Sequence, residues 1–157
     1  MSITRVRDYF RPLGREGDIL EFPVSSATVE LAAQAVGVIP ARIAKTLSFL
    51  VDDKCVLIVA AGDAKIDNAK YRAFFHTKAK MLPAELVEPM TGHQVGGVCP
   101  FANPDGVSTY LDESLRRFDT VFPAAGSGNS AIELTCQELE TYAHSAGWVD
   151  VCKGWQE

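Results

Sequence analysis

The stretch Cys55-Val56-Leu57-Ile58-Val59-Ala60-Ala61 is an unbroken apolar run. It follows the polar turn Asp52-Asp53-Lys54 and the segment Lys45-Thr46-Leu47-Ser48-Phe49-Leu50-Val51, which alternates as a strand does. Two strands joined by so short a turn make a hairpin, and a second strand that is apolar at every position must be covered on both faces. The flanking sequence supplies the cover. Val6, Tyr9, Phe10 and Leu13 recur at helical spacing with a stop at Gly14, and Ile19 to Val24 reads as a short strand. Ser25 and Ser26 precede a helix from Ala27 to Val36 that ends at Gly37, Ile66 to Phe75 resumes helical spacing, and a further short helix follows Pro83. Beyond it, glycine-punctuated loops and short strands alternate at Gly96 to Phe101, Thr109 to Asp112, Thr120 to Pro123 and Ala131 to Leu134. Thr135-Cys136-Gln137-Glu138 then forms a capping box for the last helix. This order predicts an α+β fold with a mixed, largely antiparallel sheet flanked by helices.

A chain of 157 residues, 47% hydrophobic and 22% charged, fits one globular domain over residues 1–157 and excludes a disordered tail, a collagen-like fibre and a disulfide-stapled miniprotein. The apolar run of the hairpin is far below the roughly 20 residues of a spanning helix. Charges occupy the N-terminal positions where a signal peptide needs an apolar stretch, so a soluble, cytoplasmic protein is expected. Cys55, Cys99, Cys136 and Cys152 are widely spaced, with no C-x-x-C pair and no histidine at a metal-ligand offset. His76, His93 and His144 are isolated in sequence, and neither a metal, a cofactor nor a Cys/His nucleophile pair is expected.

The net charge of -5 argues against a generic binder of phosphate backbone. The total conceals an asymmetry: residues 1–80 hold 12 Lys/Arg against 9 Asp/Glu, and residues 81–157 hold 3 against 11. Lys65, Lys70, Arg72, Lys78 and Lys80 cluster against only Asp63 and Asp67. Such a cluster is either a solvated helix face or a local phosphate contact on an acidic protein.

Three segments carry residues suited to chemistry. Lys45 opens a strand with largely apolar neighbours; its ammonium either snorkels to solvent or faces a cleft, where desolvation would lower its pKa and fit it as a clamp or proton donor. In Gly96-Gly97-Val98-Cys99-Pro100-Phe101 two glycines allow backbone to approach a ligand and Pro100 stiffens the loop. It is either a plain turn or a receptor for an oxyanion or phosphate. Ala125-Gly126-Ser127-Gly128-Asn129 is equally a turn or a loop admitting a sugar or carbonyl, and it lacks the G-x-S-x-G elbow of a serine hydrolase.

Taken in order, Ile43-Ala44-Lys45-Thr46-Leu47, Gly62 to Asp67, Thr91 to Phe101, Tyr110 to Leu115 and Ala125 to Asn129 closely resemble the YbaK family of aminoacyl-tRNA editing domains. That family includes free-standing Cys-tRNA(Pro) and Ala-tRNA(Pro) deacylases and the editing insert of bacterial prolyl-tRNA synthetases. The resemblance implies a curved, barrel-like sheet and hydrolysis of the ester of a misacylated tRNA. It makes Lys45 the functional lysine, and the expected catalytic groups are the Lys45 ammonium, fixing the carbonyl or the terminal phosphate, and the backbone N–H groups around Gly97 and Val98 as oxyanion donors. It makes Phe22, Thr46, Gly96, Val98, Cys99, Pro100, Phe101, Gly126 and Ser127 substrate-binding, with Phe22 lining the aminoacyl pocket. Many members carry a basic residue where this chain has Gly128. The implied partners are the tRNA 3′ aminoacyl end and a synthetase, with no cofactor, metal or membrane. A non-catalytic aminoacyl-tRNA or nucleotide-binding module, and a hydrolase of some other ester or thioester, are the alternatives. Alanine, cysteine, serine and threonine all remain open as the amino acid removed.

Overall fold

The computed structural model describes residues 2–155. The hairpin is its centre: β2 (Ile43–Val51) and β3 (Lys54–Ala61) pair antiparallel from Ala44↔Ala61 to Val51↔Lys54, with Asp52 and Asp53 both at positive φ in the turn. β3 is buried from Cys55 to Ala61 because its two faces enter different clusters. Val56 and Ile58 join the main core, while Cys55 and Leu57 pack with Leu82 and Val87.

The main sheet adds β5 (Ser108–Asp112), β6 (Thr120–Pro123), β8 (Leu134–Thr135) and β9 (Gly147–Val149) in the order β8-β6-β2-β3-β5-β9. Pairing is antiparallel at β2–β3 and β6–β8 and parallel at β2–β6, β3–β5 and β5–β9. Two small antiparallel pairs lie beside it: β1 (Ile19–Glu21) with β7 (Ser130–Ile132), and β4 (Lys65–Ile66) with β10 (Cys152–Lys153). Among the described residues five α-helices flank the strands: α1 (Ser2–Phe10), α2 (Val29–Val36), α3 (Asn68–Phe75), α4 (Ala84–Thr91) and α5 (Cys136–Tyr142). The parallel pairs follow from long returns, since the crossover from β3 to β5 carries α3 and α4. This is the mixed, curled α+β sheet that the sequence led us to expect.

The main core runs from Val6 and Phe10 of α1 through Ile58 and Leu111 to Leu139 and Val151. Phe10 meets Phe101 and Tyr142 edge to face, with centroids 5.0 and 5.5 Å apart, an arrangement aromatic rings favour.

Local chemistry shifts several expected boundaries. β1 stops at Glu21, not Val24: the Phe22 N–H still donates to the Asn129 carbonyl at 2.8 Å, the next position of the same register, but Pro23 follows and has no N–H to carry the ladder on. Thr28, not Ser25 or Ser26, caps α2, its hydroxyl accepting from Leu31 N–H at 3.1 Å. Residues 96–101 form an irregular loop and no strand.

Candidate active site

A cavity of about 380 Å³ opens beside the start of β2. Its walls come from Val29 and Ala32 of α2, Ile43 to Thr46 and Ser48 of β2, Leu82 and Val87 around α4, Gly96 and Val98 of the glycine loop, and Phe122, Ala124 and Ala131. The lining is mostly aliphatic with a few polar groups, the usual make-up of a small-ligand site. Among the described residues that line it, Lys45 is the only one with a titratable side chain.

Lys45 is half-buried, and its ammonium donates to the carbonyl of Ala64 and to that of Gly62 at 3.5 Å. Burial holds its pKa below the ordinary lysine value, partly opposed by the nearby Cys152 and Asp63. The turn offering these carbonyls is itself braced. Ala61 N–H donates to Ser114 Oγ at 3.1 Å, and Asp112, wholly buried, accepts from Ser114 N–H and Val151 N–H, each at 2.9 Å. Arg117 grips Asp63 with two hydrogen bonds of 2.9 and 2.6 Å and donates to Ser114 O at 2.9 Å. That guanidinium holds the Asp63 carboxyl below its usual pKa. Gly62 is required here: a Cβ would lie 2.1 Å from Pro40 O. Asp112 and Ser114 lie in the segment Tyr110 to Leu115 that carries the family resemblance without an assigned role, and Arg117 lies just outside it. The structure makes all three the scaffold behind Lys45.

The recess beside the cavity is built from backbone. Gly97 packs so closely on the loop at residues 126–127 that a Cβ would sit 3.0 Å from Ser127 Cα. The segment before α2 is tied to the same loop, with Ser26 N–H donating to Gly128 O at 2.7 Å and Asn129 Nδ2 to Phe22 O at 3.0 Å.

The expected site residues therefore divide. Lys45, Thr46, Gly96 and Val98 line the cavity. Gly97, Gly126 and Ser127 line an adjoining recess of about 70 Å³ with Ile3, Gln94, Val95 and Gly128. Several expectations are corrected. The Gly97 N–H donates to Gln94 O at 2.9 Å, closing a turn, so it is not a free oxyanion donor; its glycine serves loop-to-loop contact instead. The Ser127 hydroxyl is taken up within its own turn, 2.9 Å from Asn129 Oδ1 and 2.7 Å from Ser130 Oγ. Cys99 and Phe101 are buried away from the cavity because their side chains complete the core, and Pro100 is buried between them outside the cavity lining. Phe22 is half-buried outside it. The Thr46 hydroxyl is buried without a hydrogen-bond partner among the described residues.

The fold also brings Cys99 Sγ to 3.5 Å from His93 Nε2, a pair the sequence spacing did not suggest. The pair is not a nucleophile. Burial pushes the thiol up to about 12 and holds the imidazole below its usual value, and His93 Nε2 lies 2.9 Å from the Phe101 carbonyl, a contact requiring its proton. Among the described residues no group of three or more His, Cys, Asp or Glu side chains is placed to hold a metal ion, and no helix is long and apolar enough to cross a membrane.

The aminoacyl-tRNA editing domain profile matches residues 24–142, a span containing every described residue that lines the cavity. "Uncharacterized protein YwhH" of Bacillus subtilis (strain 168) is 55% identical over 157 residues, covering 99% of this chain and 100% of the relative. Proline–tRNA ligase of Leuconostoc citreum (strain KM20) is 31% identical over 101 residues, covering 64% of this chain but 17% of the ligase. A solved structure described as "a putative trans-editing enzyme for prolyl tRNA synthetase" superposes with a TM-score of 0.87 at 28% identity, covering 98% of both chains.

Proposed function

The chain belongs to the aminoacyl-tRNA editing domain family, and from that premise we propose that it is a free-standing deacylase hydrolysing the ester of misacylated tRNA in the cytoplasm. The observation that supports this most is the make-up of the cavity: aliphatic walls sized for a small aminoacyl group, one ammonium, and no His, Asp, Glu or Cys among the described lining residues. A site without a general-base side chain suits a reaction whose main demand is stabilising the oxyanion formed when water attacks a carbonyl already activated as an ester.

In this reading the aminoacyl side chain packs against Val29, Leu82 and Val98. An ammonium has three donors; the carbonyls of Gly62 and Ala64 take two, and the third meets the substrate's carbonyl oxygen. The Val98 N–H, in place of that of Gly97, is the backbone donor beside it. Water adds to the carbonyl carbon, a neighbouring ribose hydroxyl helps orient it, and the carbon–oxygen bond to the ribose breaks as the leaving oxygen takes the proton that the attacking water gives up, releasing the free amino acid and the uncharged tRNA end. A synthetase pocket gains only about 1–3 kcal/mol per methylene of difference, so a separate hydrolytic sieve is needed for small amino acids. The match to proline–tRNA ligases favours tRNA(Pro) as the acceptor.

The test is a deacylation panel of tRNA(Pro) charged with alanine, cysteine, serine or threonine, run with the wild type and with Lys45→Ala. The wild type should clear at least one, and the variant should lose about 10²–10³ in rate, the scale of removing one oxyanion donor. A correctly folded Lys45→Ala protein with near-wild-type turnover overturns the mechanism.

A further inference from the structure

Of the five cations of residues 65–80, three differ in what they meet, while Lys65 and Lys80 are exposed outside the groove. Lys70 is committed, bonded to the Asp150 carboxylate at 3.0 Å and to Cys152 O at 3.3 Å. Arg72 and Lys78 instead line a second, open groove of about 700 Å³ along α3 and the segment after it, together with Asn68, Ala69, Ala73 and Ala79. Both are solvent-exposed, and neither side chain has an ion-pair or hydrogen-bond partner among the described residues. Arg72 is unusual in this. Each of the other seven arginines meets a carboxylate or a carbonyl oxygen. The carboxylate nearest in sequence, Asp67, is occupied as the cap of α3 by the Ala69 and Lys70 N–H groups.

The groove and the cavity share no lining residue and are linked by one stretch of chain. Leu50 N–H donates to Lys80 O at 2.9 Å and Leu82 N–H to Ser48 O at 3.0 Å, so residues 80–82 lie extended against β2. Lys78 and Ala79 line the groove, while Met81 and Leu82 line the cavity. At strand spacing, Lys78 and Met81 are about 10 Å apart. α3 packs through Tyr71 on Phe49, the face of β2 opposite the one on which Thr46 and Ser48 line the cavity, so a nucleic-acid strand with its 3′ end in the cavity would meet Lys78 at the edge of β2 and reach Arg72 by continuing over that edge.

We infer that this groove is a phosphate subsite for the tRNA acceptor strand just upstream of the terminal adenosine, an inference that rests on the deacylase reading. Two unpaired cations beside an ester pocket give an acidic protein local purchase on RNA without a general affinity for it.

The test compares wild type, Arg72→Ala/Lys78→Ala and the charge-preserving Arg72→Lys/Lys78→Arg in binding an uncharged tRNA(Pro) transcript across salt concentrations. The alanine pair should bind about tenfold more weakly at low salt and lower the slope of log K against log salt by about 1.4–1.8, the counterions of two phosphates. The charge-preserving pair should restore both. The alanine pair should also raise KM for misacylated tRNA(Pro) while leaving hydrolysis of a phosphate-free aminoacyl-adenosine unchanged. An unchanged slope, or an equal loss on both substrates, overturns the subsite. Altered slopes with no hydrolysis of either substrate by wild type overturn the deacylase reading and leave the RNA groove standing.

Discussion

Lys45 lines the cavity and Gly97 the recess beside it, and the two are held by different means. The turn behind Lys45 is fixed by side chains: Asp112 braces Ser114, Ser114 accepts from Ala61, and Arg117 clamps Asp63. The loop of Gly97 is fixed by contact between main chains, with Ser127 Cα as near neighbour and a turn closed onto Gln94. A side-chain brace can be weakened one hydrogen bond at a time. A backbone contact has no such gradation, because an added carbon either fits or forces two loops apart.

The sharpest probe of the braced side is pH. Burial lowers the Lys45 pKa, so the ammonium is lost before an ordinary lysine at 10.5 would lose it. Enzyme-dependent kcat/KM should fall about tenfold per pH unit on an alkaline limb whose midpoint lies below that value. Lys45→Met should lack the limb, and a wild-type rate that stays flat through this range would show that the ammonium does not act on the reaction.

On the backbone side, Gly97→Ala places a carbon 3.0 Å from Ser127 Cα and 3.3 Å from Gly126 O. Overpacking of this kind costs about 1–3 kcal/mol, a Tm loss of about 3–10 °C for a chain of this length. A melting curve within 1 °C of wild type would mean the loops separate freely, and the contrast between cavity and recess would collapse.

Asp63→Asn tests the brace more gently. The pair with Arg117 is partly exposed, so about 0.2–1 kcal/mol is expected, a Tm loss of about 1–3 °C. Arg117 lowers the folded-state pKa of Asp63. Its stabilisation is therefore present above the unfolded carboxyl's pKa of about 4 and is lost as pH falls through the lower folded value. The Tm gap between variant and wild type should be full near pH 7 and close in acid; a gap that widens there contradicts the pairing.

The same contrast explains what was legible in the sequence. Period and punctuation carry the hairpin, the capping box and β6, because each is decided by neighbours in the chain. Lys45, Thr46, Gly96 and Val98 reach the cavity because the resemblance rested on the segments that form it. Cys99 and Phe101 were misplaced for a physical reason: adjacent loop residues can face opposite ways, and their side chains are worth more in the core than in a pocket. The His93–Cys99 contact and the Arg117–Asp63 clamp were hidden because each depends on loop or tertiary geometry, the latter joining positions 54 residues apart.

The smallest expected effect tests Gly128, the position where the family resemblance implies a basic residue. Gly128 has ordinary space for a side chain, with Gly96 O at 3.6 Å and Ala27 Cβ at 3.7 Å from an added Cβ, and no positive φ to forbid one. It lines the recess beside Gly97 and Ser127, and its carbonyl, which holds Ser26, is unaffected by what the side chain is. Gly128→Arg should therefore fold normally and add one cation beside the site. One added phosphate contact steepens the slope of log K against log salt for tRNA by about 0.7–0.9 and tightens binding several-fold at low salt. If instead the variant binds tRNA as wild type does, the 126–129 loop lies off the path of the RNA, and the phosphates are carried by the α3 side of the molecule alone.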